Sequence, residues 1–143
     1  MANLPFHLAI LVNDLAAART FYGDVLGCAE GRSAEGWVDF NMYGHQLVCH
    51  LDSTQADDAA SRTSQVDASA VPVPHFGVVL DWSEWEALQQ RLSRNQISFL
   101  VTPAIRFRGL PGEQGSFFVL DPAGNALEFK AMREPRLLFA AND

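Results

Sequence analysis

Phe6-His7-Leu8-Ala9-Ile10-Leu11-Val12 returns further along the chain as Pro74-His75-Phe76-Gly77-Val78-Val79-Leu80. Both are short apolar runs of strand type, both carry a His at the second position, and both lead into a helical pattern. After the first run, Asn13-Asp14 stops the strand and supplies a cap. Leu15, Ala18, Phe21, Tyr22, Val25 and Leu26 then fall at helical spacing up to Gly27, which suits a left-handed C-terminal cap. After the second run, Asp81 to Asn95 reads as a helix with Trp85, Leu88 and Leu92 on one face and Ser83 and Glu86 in capping-box relation.

The strands that follow complete the repeat. In the first half, Trp37-Val38-Asp39-Phe40 and Gln46 to Leu51 flank the turn Tyr43-Gly44, and Ala29 to Arg32 is a weaker strand signal. In the second half, Ile97 to Val101 reads as a strand and Thr102 to Gly115 as a Gly- and Pro-bearing loop. Ser116 to Leu120 and Ala126 to Lys130 surround the turn Asp121-Pro122-Ala123-Gly124-Asn125. Each half is β-α-β-β-β, an internal repeat of α+β type. His7 aligns with His75 and Gly44 with Gly124, the longer loop of the second half absorbing the difference. A four-stranded half-sheet with one helix covers one face only, so two such modules must pair to bury a core, within one chain or between two. The expected organisation is one domain over 1–143. Module one covers 4–52, a polar linker 53–71, module two 72–131 and a tail 132–143. The linker's Asp57-Asp58 pair reads as solvated loop.

Length and charge exclude several classes. The chain has 143 residues, 48% of them hydrophobic, enough for an independent core and too apolar for disorder. With 10 basic residues against 17 acidic, a net charge of -7 argues against nucleic acid or an anionic membrane as partner. No apolar run approaches the roughly 20 residues of a membrane span. The start has no positively charged segment and no cleavage site of signal-peptide type, so a cytoplasmic location is expected. Cys28 and Cys49 lack metal or redox spacing and read as reduced thiols.

The candidate chemistry rests on four His and one Glu. His7 and His75 hold equivalent places in the repeat. Glu128 lies between Leu127 and Phe129, so strand alternation sends it to the face opposite those two. Two imidazoles and one carboxylate with other positions open is the facial triad of non-haem Fe(II) sites, and the same donors accept Mn, Ni or Zn. An ungapped overlay of the modules sets Val48 opposite Glu128. His50 is two residues on, on the same strand face, as a fourth ligand, a proton donor or a cleft wall. His45 falls in the turn and reads as exposed. Arg106 and Arg108 either clamp a substrate carboxylate or lie on the surface, and Glu113 could serve as a base only if its loop folded over a cleft.

These residues carry a resemblance. The repeat, the run Leu11-Val12-Asn13-Asp14-Leu15 followed by Phe21-Tyr22 and Leu26-Gly27, and Asp121-Pro122-Ala123-Gly124-Asn125-Ala126-Leu127-Glu128 are similar to the vicinal oxygen chelate superfamily of glyoxalase I, bleomycin-resistance proteins, fosfomycin-resistance enzymes and extradiol dioxygenases. The resemblance implies two βαβββ modules forming a curled-sheet cleft, a divalent metal held by His7, His75 and Glu128, and a homodimer. It covers about residues 4 to 131. Two departures are visible. The last strand of module one offers Val48 or His50 where glyoxalase I has a carboxylate, and Phe118 stands where extradiol dioxygenases have a Tyr. The expected function is a dioxygenase-like oxidoreductase acting on a small molecule that chelates the metal through adjacent oxygens. Fe(II) or Mn is favoured, Ni or Zn possible, and His50 is the catalytic candidate. The alternatives are a glyoxalase I-like lyase or isomerase and a non-catalytic small-molecule binder or resistance protein.

Overall fold

The structure is a computed structural model that describes residues 3–52, 63–66 and 69–141. It divides into two units, Met1–Asp58 with Asp121–Asn125, and Ala59–Leu120 with Ala126–Asp143. Both are mixed α and β, as the repeat requires.

In the first unit, β1 (His7–Val12), α1 (Leu15–Ala18, continued as a π-helical stretch Arg19–Val25), β2 (Ala29–Ala34), β3 (Trp37–Met42) and β4 (His45–Leu51) follow in order. The sheet order is β1-β4-β3-β2, with β1 parallel to β4 and the others antiparallel. Asp14 caps α1 by accepting from Ala17 N–H at 3.1 Å. The sequence predicts one regular helix to Leu26. The wider π turn arises where the adjacent aromatics Phe21 and Tyr22 are both buried, their rings edge to face at 4.9 Å. Val38, Phe40, Met42, Leu47 and Cys49 are buried from one face of the sheet, each at roughly 1.5–3 kcal/mol for a large apolar side chain. Cys28 and Cys49 are buried without a disulfide.

The turn Asp121–Asn125 is held by one buried carboxylate. Asp121 accepts from Ala123 N–H, Asn125 N–H and the Asn125 side chain at 2.8–3.0 Å. It also accepts from the Tyr22 hydroxyl at 2.8 Å. Asn125 donates its other amide bond to Leu11 O at 2.8 Å. Burial, then the Asp121 charge, pushes the Tyr22 phenol well above its usual range.

The second unit repeats the topology. Residues 75–80 run parallel to β9 (Ala126–Met132) through the pairs Phe76↔Leu127 and Val79↔Lys130. α2 (Trp82–Arg94) follows, then β7 (Val101–Arg106) and β8 (Gln114–Leu120), in sheet order β7-β8-β9. Gly77 makes the parallel approach possible, since a Cβ there would collide with the backbone carbonyl of Glu128. The Trp85 ring fills the space a Cβ at Gly115 would need and donates to Phe129 O at 2.9 Å. Phe117, Phe118, Val119, Leu127 and Phe129 are fully buried or nearly so.

Three readings of the sequence are corrected. The cap of α2 is Asp81, with no side-chain bond, so Ser83 lies inside the helix and the Ser83–Glu86 box does not form. The strand read at Ile97–Val101 is β7, starting at Val101. Gln96 adopts a left-handed φ of 61°, and Ile97 N–H bonds back to Leu92 O, which ties these residues to the helix end. β7 tolerates Pro103 because it is an edge strand with a bulge between Val101 and Ala104. The stretch read as polar linker holds two short antiparallel strands, β5 (Thr63–Val66) and β6 (Ser69–Pro72), and Val71 is buried. Asp57-Asp58 lies outside the described residues.

Candidate functional site

Strand alternation in β9 places Leu127 and Phe129 in the core and Glu128 on the other face, as its neighbours in sequence dictate. The Glu128 side chain is 14% exposed, and its Oε1 lies 3.2 Å from Nε2 of His75, which is 25% exposed. Its second oxygen, Oε2, accepts a short bond from the Ser116 hydroxyl, and Ser116 is fully buried on β8. His75 donates from Nδ1 to Pro72 O at 2.5 Å, since a carbonyl only accepts. Its ring meets the Phe118 ring edge-on at 4.9 Å. With Nδ1 donating to Pro72, Nε2 is the ring atom turned toward the one carboxylate oxygen not held by Ser116: an ion pair when the ring is protonated, a lone pair open to a cation when it is neutral.

His7 lies at the head of β1 in the first unit and is exposed. Its Nδ1 is 2.8 Å from Gln46 Oε1, and Gln46 Nε2 donates to Asp39 Oδ2 at 3.0 Å. Gln46 and Asp39 also line an open depression of about 320 Å³ with Pro5, Arg32, Asn41 and His45. The registers make His7 and His75 equivalent: Leu8 pairs with Leu47 as Phe76 pairs with Leu127. The same registers match Val48 to Glu128 and His50 to Lys130, because Leu11 pairs with His50 as Val79 pairs with Lys130. His50 is exposed on β4, on the face shared by Gln46 and Val48. His45 is half-buried rather than exposed, and its Nδ1 accepts from Phe6 N–H at 2.8 Å.

The loop candidates separate. Phe107 takes a left-handed φ of 56°, which breaks the alternation that would align its neighbours; Arg106 is buried and Arg108 exposed. Glu113 accepts from Gly109 N–H at 3.0 Å and from Arg133 at 3.3 Å. The Gly109 N–H, then Arg133, holds its carboxyl below the usual range, so it is a poor base.

The donor set suits a divalent ion. Two bonds of about 2.1 Å at about a right angle put neighbouring donors about 3 Å apart, close to the 3.2 Å between His75 Nε2 and Glu128 Oε1. Metal-binding His residues commonly donate their other N–H to a fixed acceptor, as His75 does to Pro72 and His7 to Gln46. Among the described residues, no group of three or more His, Cys, Asp and Glu is assembled for a metal. The structure joins His75 to Glu128 and His7 to Gln46.

Sequence reasoning missed Ser116 and Gln46. Ser116 had a legible signal: it is the polar residue opening an apolar strand, two places before Phe118 and so on Glu128's face. Gln46 is exposed, and its sequence neighbours carry no comparable mark.

The sequence profile of the Glyoxalase/Bleomycin resistance protein/Dioxygenase superfamily matches residues 5–129. No curated protein matches. Among solved structures, a glyoxalase/bleomycin resistance protein/dioxygenase from Alicyclobacillus acidocaldarius is 32% identical, with a TM-score of 0.79, over 96% of this chain and 97% of that one. Two more distant structures share the fold. The lactoylglutathione lyase from Agrobacterium tumefaciens is 22% identical (TM-score 0.64; 91% of this chain and 94% of that one). The fosfomycin resistance protein FosX from Listeria monocytogenes is 15% identical (TM-score 0.68; 92% and 94%). With its two βαβββ units and this profile match over nearly its whole length, the chain belongs to the Glyoxalase/Bleomycin resistance protein/Dioxygenase superfamily.

Proposed function

We propose that the chain is a divalent-metal-dependent, dioxygenase-like oxidoreductase. Its substrate is a small molecule with two adjacent oxygen donors, and His7, His75 and Glu128 are the metal ligands. The observation that carries this reading is the approach of His75 Nε2 to Glu128 Oε1 at 3.2 Å, with the other atom of each side chain already satisfied. A divalent ion, Fe(II) or Mn in preference to Ni or Zn, supplies a Lewis acid for two adjacent substrate oxygens and, if redox-active, access to dioxygen.

The protein's own contribution is orientation and proton handling. Ser116 holds Glu128 Oε2, so the carboxylate offers a single oxygen. Phe118 buttresses the His75 ring and, being a hydrocarbon, moves no proton. The proton-holding group in this reading is His50, exposed on β4 on the same face as Val48. Val48 at the register position of Glu128 weighs against a glyoxalase-type reaction, which needs a carboxylate base there. The proposal includes a homodimer and a cytoplasmic location, and no nucleic-acid or membrane partner. The net charge of -7 supports the absence of nucleic acid, and no helix among the described residues is long and apolar enough to cross a membrane.

The test is elemental analysis of protein purified without chelator or affinity tag, beside folded His7→Ala, His75→Ala and Glu128→Ala variants, followed by oxygen uptake with catechol-like compounds. Near-stoichiometric iron or manganese lost in all three variants, with oxygen consumed, supports the reading. Nickel or zinc with thiol-adduct isomerisation and no oxygen uptake replaces it with a lyase or isomerase. Metal that is absent, or that survives the substitutions, replaces it with a small-molecule binder.

A further inference from the structure

We infer that Gln46 is a positioning residue that fixes which nitrogen of His7 is bare, and that Asp39 sets the direction of Gln46. An ionised carboxylate only accepts hydrogen bonds. Asp39 Oδ2, 3.0 Å from the Gln46 side chain, must therefore face the amide NH₂. The other end of the Gln46 amide is then its carbonyl, which also only accepts, and it lies 2.8 Å from His7 Nδ1. His7 must donate there. Its neutral ring has one proton, so Nδ1 keeps it and Nε2 is left with an exposed lone pair.

The neighbouring His45 shows that the fold does not impose this on every ring. Phe6 N–H donates to His45 Nδ1 at 2.8 Å, so the proton of neutral His45 sits on Nε2 and no ring lone pair remains. Two histidines attached to the same strand ends are thus held as opposite tautomers, one by a backbone N–H and one by an amide carbonyl. His75, the repeat-equivalent of His7, is held in the His7 form by a different acceptor, Pro72 O. Gln46 and Pro72 do the same job for equivalent rings by unrelated means. The consequence for metal or substrate binding at Nε2 rests on the proposed role of His7 as a ligand; the tautomer itself does not.

The experiment is a long-range ¹H–¹⁵N correlation of the histidine rings in the metal-free protein at pH about 9, where imidazoles are neutral. His7→Ala and His45→Ala assign the signals, and His45 serves as the opposite internal standard. His7 is expected as a single tautomer with the proton on Nδ1. In Gln46→Leu the preference is expected to collapse to a mixture, while His45 stays unchanged. In Asp39→Asn the His7–Gln46 contact remains but has lost its direction, so a mixture is expected there too, an effect that a merely structural Asp39 would not produce. Calorimetric titration with zinc alone is the second reading, with affinity expected to fall about 10- to 100-fold in Gln46→Leu. A wild-type His7 protonated on Nε2, or a Gln46→Leu protein with an unchanged tautomer, overturns the inference. Unchanged zinc affinity in a Gln46→Leu protein whose tautomer has collapsed overturns the positioning role. A wild type with the expected tautomer that binds no zinc supports the Gln46 inference and counts against the metal reading alone.

Discussion

Gly77→Ala should damage stability and the Glu128 site together. Residues 75–80 approach β9 so closely at Gly77 that an added Cβ would overlap the carbonyl oxygen of Glu128, a backbone atom that no rotamer change can move aside. The strand must retreat. The bonds at risk flank the collision: Glu128 N–H to Phe76 O at 2.8 Å and Lys130 N–H to Val78 O at 3.2 Å. Losing two bonds at about 1 kcal/mol net each, plus about 1–3 kcal/mol of overpacking strain, gives about 3–5 kcal/mol. That is a large share of the roughly 5–15 kcal/mol that holds a domain folded. Urea denaturation measures it directly. Gly36→Ala is the control, because nothing lies within 4 Å of a Cβ built there, and it should change stability by less than about 0.5 kcal/mol. Where Gly77→Ala stays folded, the proposed metal site predicts that zinc affinity also falls, since the displaced backbone carries Glu128 away from His75. A Gly77→Ala protein as stable as Gly36→Ala would refute the claim that this glycine exists to admit the Glu128 backbone.

Two further predictions concern the first unit. Tyr22→Phe removes the hydroxyl that donates to the buried Asp121 carboxylate at 2.8 Å; about 1.5–3 kcal/mol should be lost in chemical denaturation, and a loss under about 0.5 kcal/mol would show the turn to be self-sufficient. Burial, then the Asp121 charge, pushes the Cys49 thiol from its ordinary 9.0 up to about 12. Between those values the unfolded chain has released a proton that the folded chain keeps, so stability is whole below pH about 9 and falls as pH rises, by up to about 1.4 kcal/mol per unit. Tyr22, also pushed up, adds to the slope above pH about 10. Denaturation midpoints at pH about 8 to 11 should decline, and a Cys49→Val protein should decline less steeply; identical slopes would exclude the thiol as a source.

The parts of this protein legible in its sequence are those set by local pattern. The His7/His75 repeat, the helix faces and the alternation around Glu128 depend on spacing along one element, and spacing survives folding. The equivalence of Val48 with Glu128 was also readable, because the strand ladders keep the register that the ungapped overlay assumed. The misreadings fall where a neighbouring element decides. Ile97–Phe99 is apolar enough for a strand, yet the backbone bond from Ile97 to Leu92 holds its start against the end of α2. The Ser83–Glu86 spacing is right for a capping box, but the helix begins upstream at Asp81, which leaves Ser83 with no cap to make. The hairpin of β5 and β6 lies in a stretch poor in large apolar residues, and Val71, at the very end of that stretch, is buried.

The site shows the same division more sharply. All four histidines are the same side chain, and position in the repeat selects His7 and His75. Position cannot say which ring nitrogen is available to a ligand. That is decided by whether the partner of Nδ1 donates or accepts. In the neutral rings, Phe6 N–H donates to His45 and takes its lone pair, whereas Gln46 Oε1 and Pro72 O accept from His7 and His75 and leave the lone pair on Nε2. None of these partners belongs to a motif. One is a backbone amide thirty-nine residues away, one a carbonyl three residues upstream, and one a side chain whose direction is fixed by a further carboxylate. A chain that kept His7, His75 and Glu128 but exchanged Gln46 for a donor would present the same pattern in sequence and a different His7 atom to the proposed metal. The His and Glu pattern states where the proposed metal chemistry would sit, and the acceptors behind the rings determine whether the ring atoms are ready for it.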